Sequence, residues 1–181
     1  PNFGEPTGGQ IDGAILDNVV DYLNYVFIPA FIIYWFDLVA PEFELFTVAM
    51  ILIASCYTFS NLRLKTKDNF FNGFPALWNL VVFYLYILES SKQVNFLIIV
   101  FFLVMTFVPV KYVHPLRVKK WKKLTIFMTF IWSIDCVFLL LELADPKNQF
   151  LSYKVLYFWT WIFTTLYFIY LSVIRSITTK S

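Results

Sequence analysis

Six long apolar runs dominate this 181-residue sequence, and they restrict its fold more than any other feature. Roughly 20 mostly apolar residues in a helix cross the hydrocarbon core of a bilayer. Hydrophobic residues make up 60% of the chain and charged residues 14%, whereas a soluble domain carries about 25% charged residues. The sequence therefore predicts an all-α integral membrane protein, in which residues 1–181 form a single helical domain with a bundle of six transmembrane helices. The predicted spans cover residues 17–39, 45–59, 74–88, 94–110, 124–143 and 153–174.

Basic residues are concentrated on one side of the predicted spans. Eleven of the fourteen Lys and Arg residues fall on that side, whereas the opposite loops combine three Lys with several acidic residues. Because an excess of Lys and Arg marks the cytoplasmic side, both ends of the chain are predicted to face the cytoplasm. The residues assigned to the cytoplasmic side are Arg63, Lys65, Lys67, Lys111, Arg117, Lys119, Lys120, Lys122, Lys123, Arg175 and Lys180.

The composition also bounds the partners and the redox chemistry of the chain. No polar stretch is long enough to form a soluble domain, so membrane lipid is an expected partner and nucleic acid is not. Cys56 and Cys136 lie in apolar runs without CxxC or metal-ligand spacing, and they are predicted to be small buried side chains. The chain begins at Pro1 without a Met or a signal region, so we expect it to be an amino-terminally incomplete piece of a longer protein.

Two aspartates lie at the cytoplasmic end of the first apolar run. Asp17 and Asp21 are four residues apart, so a helix places both on one face, where like charges repel by a few tenths of a kcal/mol. Carboxylates close to hydrocarbon usually face a wet cavity, a cation or a partner. An alternative is that they are acids at a helix N-terminus, favoured by the macrodipole by under about 1 kcal/mol. The pattern predicts an anionic site at the membrane edge that needs a counterion.

The segments around these aspartates and further along the chain resemble a known enzyme family. Gly13, Asp17 and Asp21 match GxxxDxxxD, the second half of the signature of the CDP-alcohol phosphatidyltransferases. The first half, DGxxAR, is absent from the sequence. Residues 16–23, 70–79 and 107–117 are similar, in this order, to blocks of the bacterial phosphatidylcholine synthases. The resemblance covers nearly the whole chain and implies a fold of about eight membrane helices, of which this sequence contains six.

The resemblance implies a reaction and roles for the aspartates. A phosphatidylcholine synthase joins the phosphatidyl group of CDP-diacylglycerol to choline and releases CMP. By this resemblance Asp17 is a metal ligand, and Asp21 is a metal ligand and the general base that takes the hydroxyl proton of choline. Because all-oxygen ligands favour Mg²⁺ or Mn²⁺ over zinc, one of these ions is the expected cofactor. Gly13 would let the nucleotide or a neighbouring helix approach closely. The family also implies the bacterial inner membrane, with the active site facing the cytoplasm.

Other residues are candidates for substrate contacts. The quaternary ammonium of choline is usually held over aromatic faces, so Tyr22 and Trp78 are predicted choline contacts, and Asn18 is a predicted polar contact beside the aspartates. Lys111 and Arg117 are the predicted partners of a lipid phosphate. Each has a simpler interpretation, since aromatic residues also pack or lie at the membrane interface, and basic clusters set topology and attract anionic headgroups.

Three more polar residues have predicted roles near the spans. Asn24 extends the stripe of Asp17 and Asp21 and either lines the same cavity or makes an interhelical hydrogen bond. Asp135 lies near the centre of the fifth predicted span, where an unpaired charge is costly, so it is expected to be protonated or hydrogen-bonded in a structural role. His114 is expected to be an interfacial residue with a hydrogen bond.

The sequence leaves three functional alternatives open. The first is a related phosphatidyltransferase that uses serine, glycerol or an inositol phosphate instead of choline. The second is a non-enzymatic membrane transporter with an ion path through Asp17, Asp21 and Asp135. The third is a chain that is inactive alone because it lacks the DGxxAR half of the signature. A homodimer also remains open.

Overall fold

The computed structural model describes residues 12–61, 64, 70–113, 121–144 and 154–178, and most of these residues are helical. The prediction of an all-α membrane protein is confirmed. In chain order the elements are α1 (Gly13–Tyr22), a π-helical segment (Leu23–Phe27), α2 (Ile28–Trp35), α3 (Pro41–Ser60), β1 (Phe70–Asn72), α4 (Trp78–Leu88), α5 (Lys92–Met105), β2 (Lys111–Val113), α6 (Lys122–Ala144) and α7 (Lys154–Thr178).

Four helices in the described part of the chain are long and apolar enough to cross a membrane. A helix rises 1.5 Å per residue, so about 20 residues cover the hydrocarbon core. The four helices coincide with the predicted spans 17–39, 45–59, 124–143 and 153–174, and they make this a multi-pass membrane protein. They are Gly13–Trp35, Pro41–Ser60, Lys122–Leu143 and Lys154–Thr178.

Helices α4 and α5 are shorter than the spans 74–88 and 94–110 that were predicted for them. They contain 11 and 14 residues, which at 1.5 Å per residue gives about 16 and 21 Å, too little to cross the hydrocarbon core alone. Proline explains both boundaries, because it restricts the residue before it and removes a backbone donor. Pro75 precedes Ala76, which has a φ of 56°, and Pro109 lies just beyond the end of α5.

Gly73 connects the start of α4 to the end of α5. Its φ is 88°, and a Cβ atom at this position would lie 2.5 Å from the carbonyl oxygen of Thr106. The Gly73 N–H donates to the Val110 carbonyl over 2.8 Å, and the Phe74 N–H donates to the Met105 carbonyl over 3.0 Å. Only glycine fits this close approach without displacing the backbone.

A π-helical segment interrupts the first membrane helix just before Pro29. Proline has no N–H, so the carbonyl four residues earlier, that of Tyr25, loses its normal helical partner. The wider π turn over Leu23–Phe27 accommodates this defect and leaves one continuous helix from Gly13 to Trp35. The segment rotates α2 relative to α1, which determines which side chains share a face along the helix.

A short antiparallel strand pair, which the sequence did not predict, lies beside α7. Phe70 pairs with Val113 and Asn72 pairs with Lys111. The backbone N–H groups of Lys111 and Val113 donate to the hydroxyls of Ser176 and Ser172 on α7, over 2.8 and 3.1 Å. The pair therefore fastens the segments next to α4 and α5 to the C-terminal end of α7.

Within the part of the chain that the structure describes, buried side chains form two clusters. The larger cluster joins the first membrane helix, α3, α4 and α5, and Val26, Ile33, Ile51 and Ile99 in it have no exposed surface. The smaller cluster joins α4, α6 and α7 around Trp161.

Polar and aromatic contacts hold α6 against α7. The hydroxyls of Thr125 and Tyr167 lie 2.9 Å apart, and the rings of Phe138 and Tyr157 stack with centroids 4.4 Å apart. Asp135 is 3% exposed between these helices and interacts with Thr160, as its predicted structural role requires.

The two cysteines differ in their surroundings. Cys136 is buried, as predicted, whereas Cys56 is exposed, which corrects the prediction for that residue. The sulfur of Cys56 lies 3.4 Å from the hydroxyl of Tyr22. Cys56 lies where α3 faces α1, at a groove that leaves its thiol accessible.

Candidate functional site

The two aspartates lie within α1 rather than at its N-terminus. Asp12 is the N-cap residue, and its Oδ1 accepts hydrogen bonds from the N–H groups of Ala14 and Ile15 over 2.9 and 3.3 Å. The first turn contains no acidic residue, so Asp17 and Asp21 lie beyond the turn in which the macrodipole acts. Helix capping and the macrodipole therefore do not account for the pair.

Gly13, Asp17 and Asp21 share one face of α1. At intervals of four residues on a helix, neighbouring Cβ atoms are about 5–6 Å apart. Asp17 is exposed and Asp21 is half-buried one turn deeper, and a Cβ atom at Gly13 would meet no atom within 4 Å. The face leaves room for a ligand beside Gly13, at the end of a membrane-crossing helix.

The carboxylate pair suits a divalent ion that is shared with a phosphate. Among the described residues, no three His, Cys, Asp or Glu side chains come together as a closed metal site. Mg²⁺ is usually bound by one or two carboxylates together with waters and substrate phosphates, whereas structural zinc needs four protein ligands. Asp17 and Asp21 supply the hard oxygen ligands that the first kind of site needs.

Asn18 and Tyr22 lie on a different face of α1, where they line a groove of about 400 Å³ between α1 and α3. The Tyr22 hydroxyl donates to the Leu52 carbonyl over 2.9 Å, and its ring packs edge-on against Phe59. The lining of this groove includes Cys56 and Ser60 but neither aspartate. Around the helix axis, Tyr22 lies about 100° from Asp21, and Asn18 lies about 60° from Asp21 and about 100° from Asp17.

Trp78 is a core residue at the start of α4. It is 1% exposed, its Nε1 donates to the Ser55 hydroxyl over 2.8 Å, and its ring packs edge-on against Phe74. A ring enclosed in this way offers no face to a quaternary ammonium. Its burial does not support the predicted choline contact, and the ring packs α4 against α3.

Of the two predicted phosphate ligands, only Lys111 lies within the described residues. It begins β2 opposite Asn72, whereas Arg117 and the neighbouring His114 lie outside the described part of the chain. Burial raises the pKa of Tyr112, which follows Lys111.

Arg175 is a basic residue near the same strand pair that the sequence analysis did not single out. Its guanidinium lies 5.7 Å from the centre of the Phe70 ring. Its position in the last turn of α7 could have drawn attention to it, since a basic residue there also complements the helix dipole. Arg175 lies beside this strand pair, and Lys111 lies in it.

Asn24 makes a hydrogen bond within its own helix, and Asp135 lies in the interior away from the groove between α1 and α3. The Asn24 side chain donates to the Val20 carbonyl of its own helix over 2.9 Å, within the π-helical segment. Asp135 is packed in the smaller interior cluster, and it does not line the groove between α1 and α3. The arrangement of Asp17, Asp21 and Asp135 gives no support to an ion path.

Known proteins resemble this chain over most of its length. No protein-family model matches the sequence, and no solved structure matches it significantly. Phosphatidylcholine synthase of Pseudomonas aeruginosa is 41% identical over 133 residues, which are 74% of this chain and 56% of the relative. That of Mesorhizobium japonicum is 39% identical over 133 residues, 74% of this chain and 48% of the relative.

The relative from Legionella bozemanae matches over a larger share of its own length. This phosphatidylcholine synthase is 35% identical over 165 residues, which are 87% of this chain and 76% of the relative. By contrast, the chain spans about half the length of the Pseudomonas and Mesorhizobium proteins. The resemblance that was noted from the sequence blocks is confirmed, and the chain belongs to the phosphatidylcholine synthase family.

Proposed function

We propose that this protein is a CDP-diacylglycerol–choline phosphatidyltransferase, a membrane enzyme that forms phosphatidylcholine and CMP. The observation that carries the proposal is the shared helix face of Gly13, Asp17 and Asp21, within a membrane-crossing helix of a chain that belongs to this family. The half-buried position of Asp21 supports its assignment to the reacting group, since it is one turn deeper toward the lipid than Asp17.

Asp17 and Asp21 are the proposed ligands of Mg²⁺ or Mn²⁺. The diphosphate of CDP-diacylglycerol and the two carboxylates are all anionic, so they need a shared cation to approach one another. When bound, such an ion would polarise the phosphoryl oxygen and stabilise the charge on departing CMP. Gly13, four residues before Asp17, leaves space for the nucleotide beside the helix.

Asp21 is the proposed general base. Its carboxylate would accept the hydroxyl proton of choline while the choline oxygen forms a bond to the phosphorus of the phosphatidyl group and the bond from that phosphorus to CMP breaks. The quaternary ammonium of choline cannot donate a hydrogen bond, but its charge complements the same carboxylates. This complementarity favours choline over inositol phosphate, whose anionic phosphate the pair would repel.

The proposed site faces the cytoplasm of a bacterial inner membrane. Among the described residues, Lys111, Lys122 and Arg175 lie at the end of the bundle where α1 begins, whereas Lys92 and Lys154 lie at the opposite end. Soluble choline and the released CMP would then enter and leave at the cytoplasmic surface, and CDP-diacylglycerol would arrive from the bilayer.

The choice of alcohol is the test of this function. Membranes that contain the protein as its gene encodes it are supplied with CDP-diacylglycerol, with or without Mn²⁺, and with labelled choline, serine, glycerol or inositol phosphate. We expect labelled phosphatidylcholine as the main product, and its formation stops when EDTA removes the metal. A product made from another alcohol would identify a different family activity. No product with any alcohol would contradict the proposal as a whole.

A further inference from the structure

A second groove continues along the same helices, deeper in the membrane. It has a volume of about 180 Å³, and its lining is almost entirely apolar. Phe27, Phe31 and Tyr34 form one side, and Val48 and Leu52 of α3 form much of the other.

The two grooves lie along one seam between the first membrane helix and α3. Residues at intervals of four along the first helix line first one groove and then the other. The α3 side runs in the opposite direction, from Ser60 and Cys56 in the first groove to Leu52 and Val48 in the second. The Tyr22 hydroxyl, at the first groove, bonds to the carbonyl of Leu52, at the second. The residues of the first helix at intervals of four are Ile15, Val19, Leu23, Phe27 and Phe31.

The π-helical segment keeps this stripe on the seam. In a regular α-helix, residues four apart drift by about 40° at each step, so a stripe of five would turn to another face. The π turn over Leu23–Phe27 has more residues per turn, so each residue rotates less and much of the drift is cancelled. The backbone defect at Pro29 therefore has a geometric consequence, which is that both grooves lie on the side of the first membrane helix that faces α3.

The polarity of the seam changes along its length. Asn18, Tyr22 and Ser60 are at the end near the aspartates, and the opposite end is apolar. From Tyr22 to Tyr34 the helix rises about 18 Å, close to the roughly 15 Å of hydrocarbon in one leaflet.

We propose that this seam holds one acyl chain of the lipid substrate, with its ester region beside Asn18, Tyr22 and Ser60. The inference rests on the proposed function, because that function makes a diacyl lipid the phosphatidyl donor. Lipid tails are as apolar as the groove, so burial alone gives no preference for this place. The groove instead fixes the direction of the chain and brings the diphosphate to the carboxylates.

Photochemical cross-linking tests the groove without requiring turnover. The full protein in phosphatidylglycerol nanodiscs is given CDP-diacylglycerol with a diazirine near the end of one acyl chain. We expect adducts at residues 27–34 and 45–52, reduced at least fivefold by unlabelled CDP-diacylglycerol and not by additional phosphatidylglycerol. Adducts spread evenly over the lipid-facing helices, or adducts that CDP-diacylglycerol does not displace, would overturn the proposal. If displaceable adducts form but choline is not transferred, the proposed reaction fails and the lipid groove stands.

A bulky substitution in the groove provides a second test. Val48→Trp fills the groove, whereas the control Ile53→Trp adds the same ring to α3 at a position that is 66% exposed and outside the groove. We expect Val48→Trp to lower the ratio of kcat/KM for long-chain over short-chain CDP-diacylglycerol about tenfold, and Ile53→Trp to leave that ratio unchanged. An unchanged ratio in a monodisperse Val48→Trp protein would overturn the proposal. The wild-type cross-links decide the question if that variant does not fold.

Discussion

Asp21→Asn is expected to reduce phosphatidylcholine formation by at least about 100-fold, since positioned general bases contribute about 10²- to 10⁴-fold to rates. Asparagine has nearly the same shape as aspartate but does not accept the proton of the choline hydroxyl. The measurement is kcat for labelled choline in membranes with saturating CDP-diacylglycerol. Excess Mn²⁺ should not restore the rate, because a weakened metal site could be refilled but a missing base could not.

Asp12→Asn is the matched control for this substitution. Asp12 caps the same helix five residues before Asp17, and asparagine is an equally good N-cap residue. It should therefore retain the wild-type kcat. Full activity of Asp21→Asn, or its recovery at high Mn²⁺, would remove Asp21 from the role of base.

Trp78→Ala is expected to cost about 3 kcal/mol or more of stability, as is usual for the truncation of a buried aromatic side chain. The ring fills the contact between α3 and α4, and its loss also leaves the Ser55 hydroxyl without the indole N–H. The free energy of unfolding can be measured by titration with SDS in mixed micelles. Trp78→Phe should lose much less, mainly a hydrogen bond worth about 1 kcal/mol.

The control for Trp78 is Trp159→Ala on α7. Trp159 is 63% exposed on the lipid-facing surface, so its truncation creates no cavity and should change stability little. Equal losses for the two alanine variants would show that the ring of Trp78 is not a specific part of the core.

The apolar runs located the helices well because a membrane leaves the backbone few alternatives. In hydrocarbon every backbone polar group needs an internal partner, so a long apolar run forms a helix. The start of α4 and the end of α5 were harder to predict, because the apolar runs continue through Phe74 and Val110. The helices stop short of these residues, next to Pro75 and Pro109. Proline was a visible signal for these boundaries. The three-residue strands carry no periodicity, and their pairing depends on residues about forty positions apart.

The carboxylate face could be predicted because residues spaced by four always lie on the same face of a helix. The surroundings of single aromatic residues could not, because Tyr22 and Trp78 look equally available in the sequence. The surroundings of both residues depend on the position of α3. The Ser55 hydroxyl on α3 accepts from the Trp78 indole, and the Leu52 carbonyl on α3 accepts from the Tyr22 hydroxyl. The seam between α1 and α3 was also hidden, because its stripe is continuous only with the π-helical segment.

Binding of Mn²⁺ to the purified full protein, followed by electron paramagnetic resonance with CDP-diacylglycerol present, tests the central claim most directly. The account predicts that the wild type and Asp12→Asn bind Mn²⁺ alike, and that Asp17→Asn weakens binding at least about tenfold, as loss of a ligand from a hard-oxygen site should. It also predicts that CDP-diacylglycerol tightens binding in the wild type. Wild-type affinity in the variant that combines Asp17→Asn with Asp21→Asn would contradict the account, because the ion would then be held elsewhere.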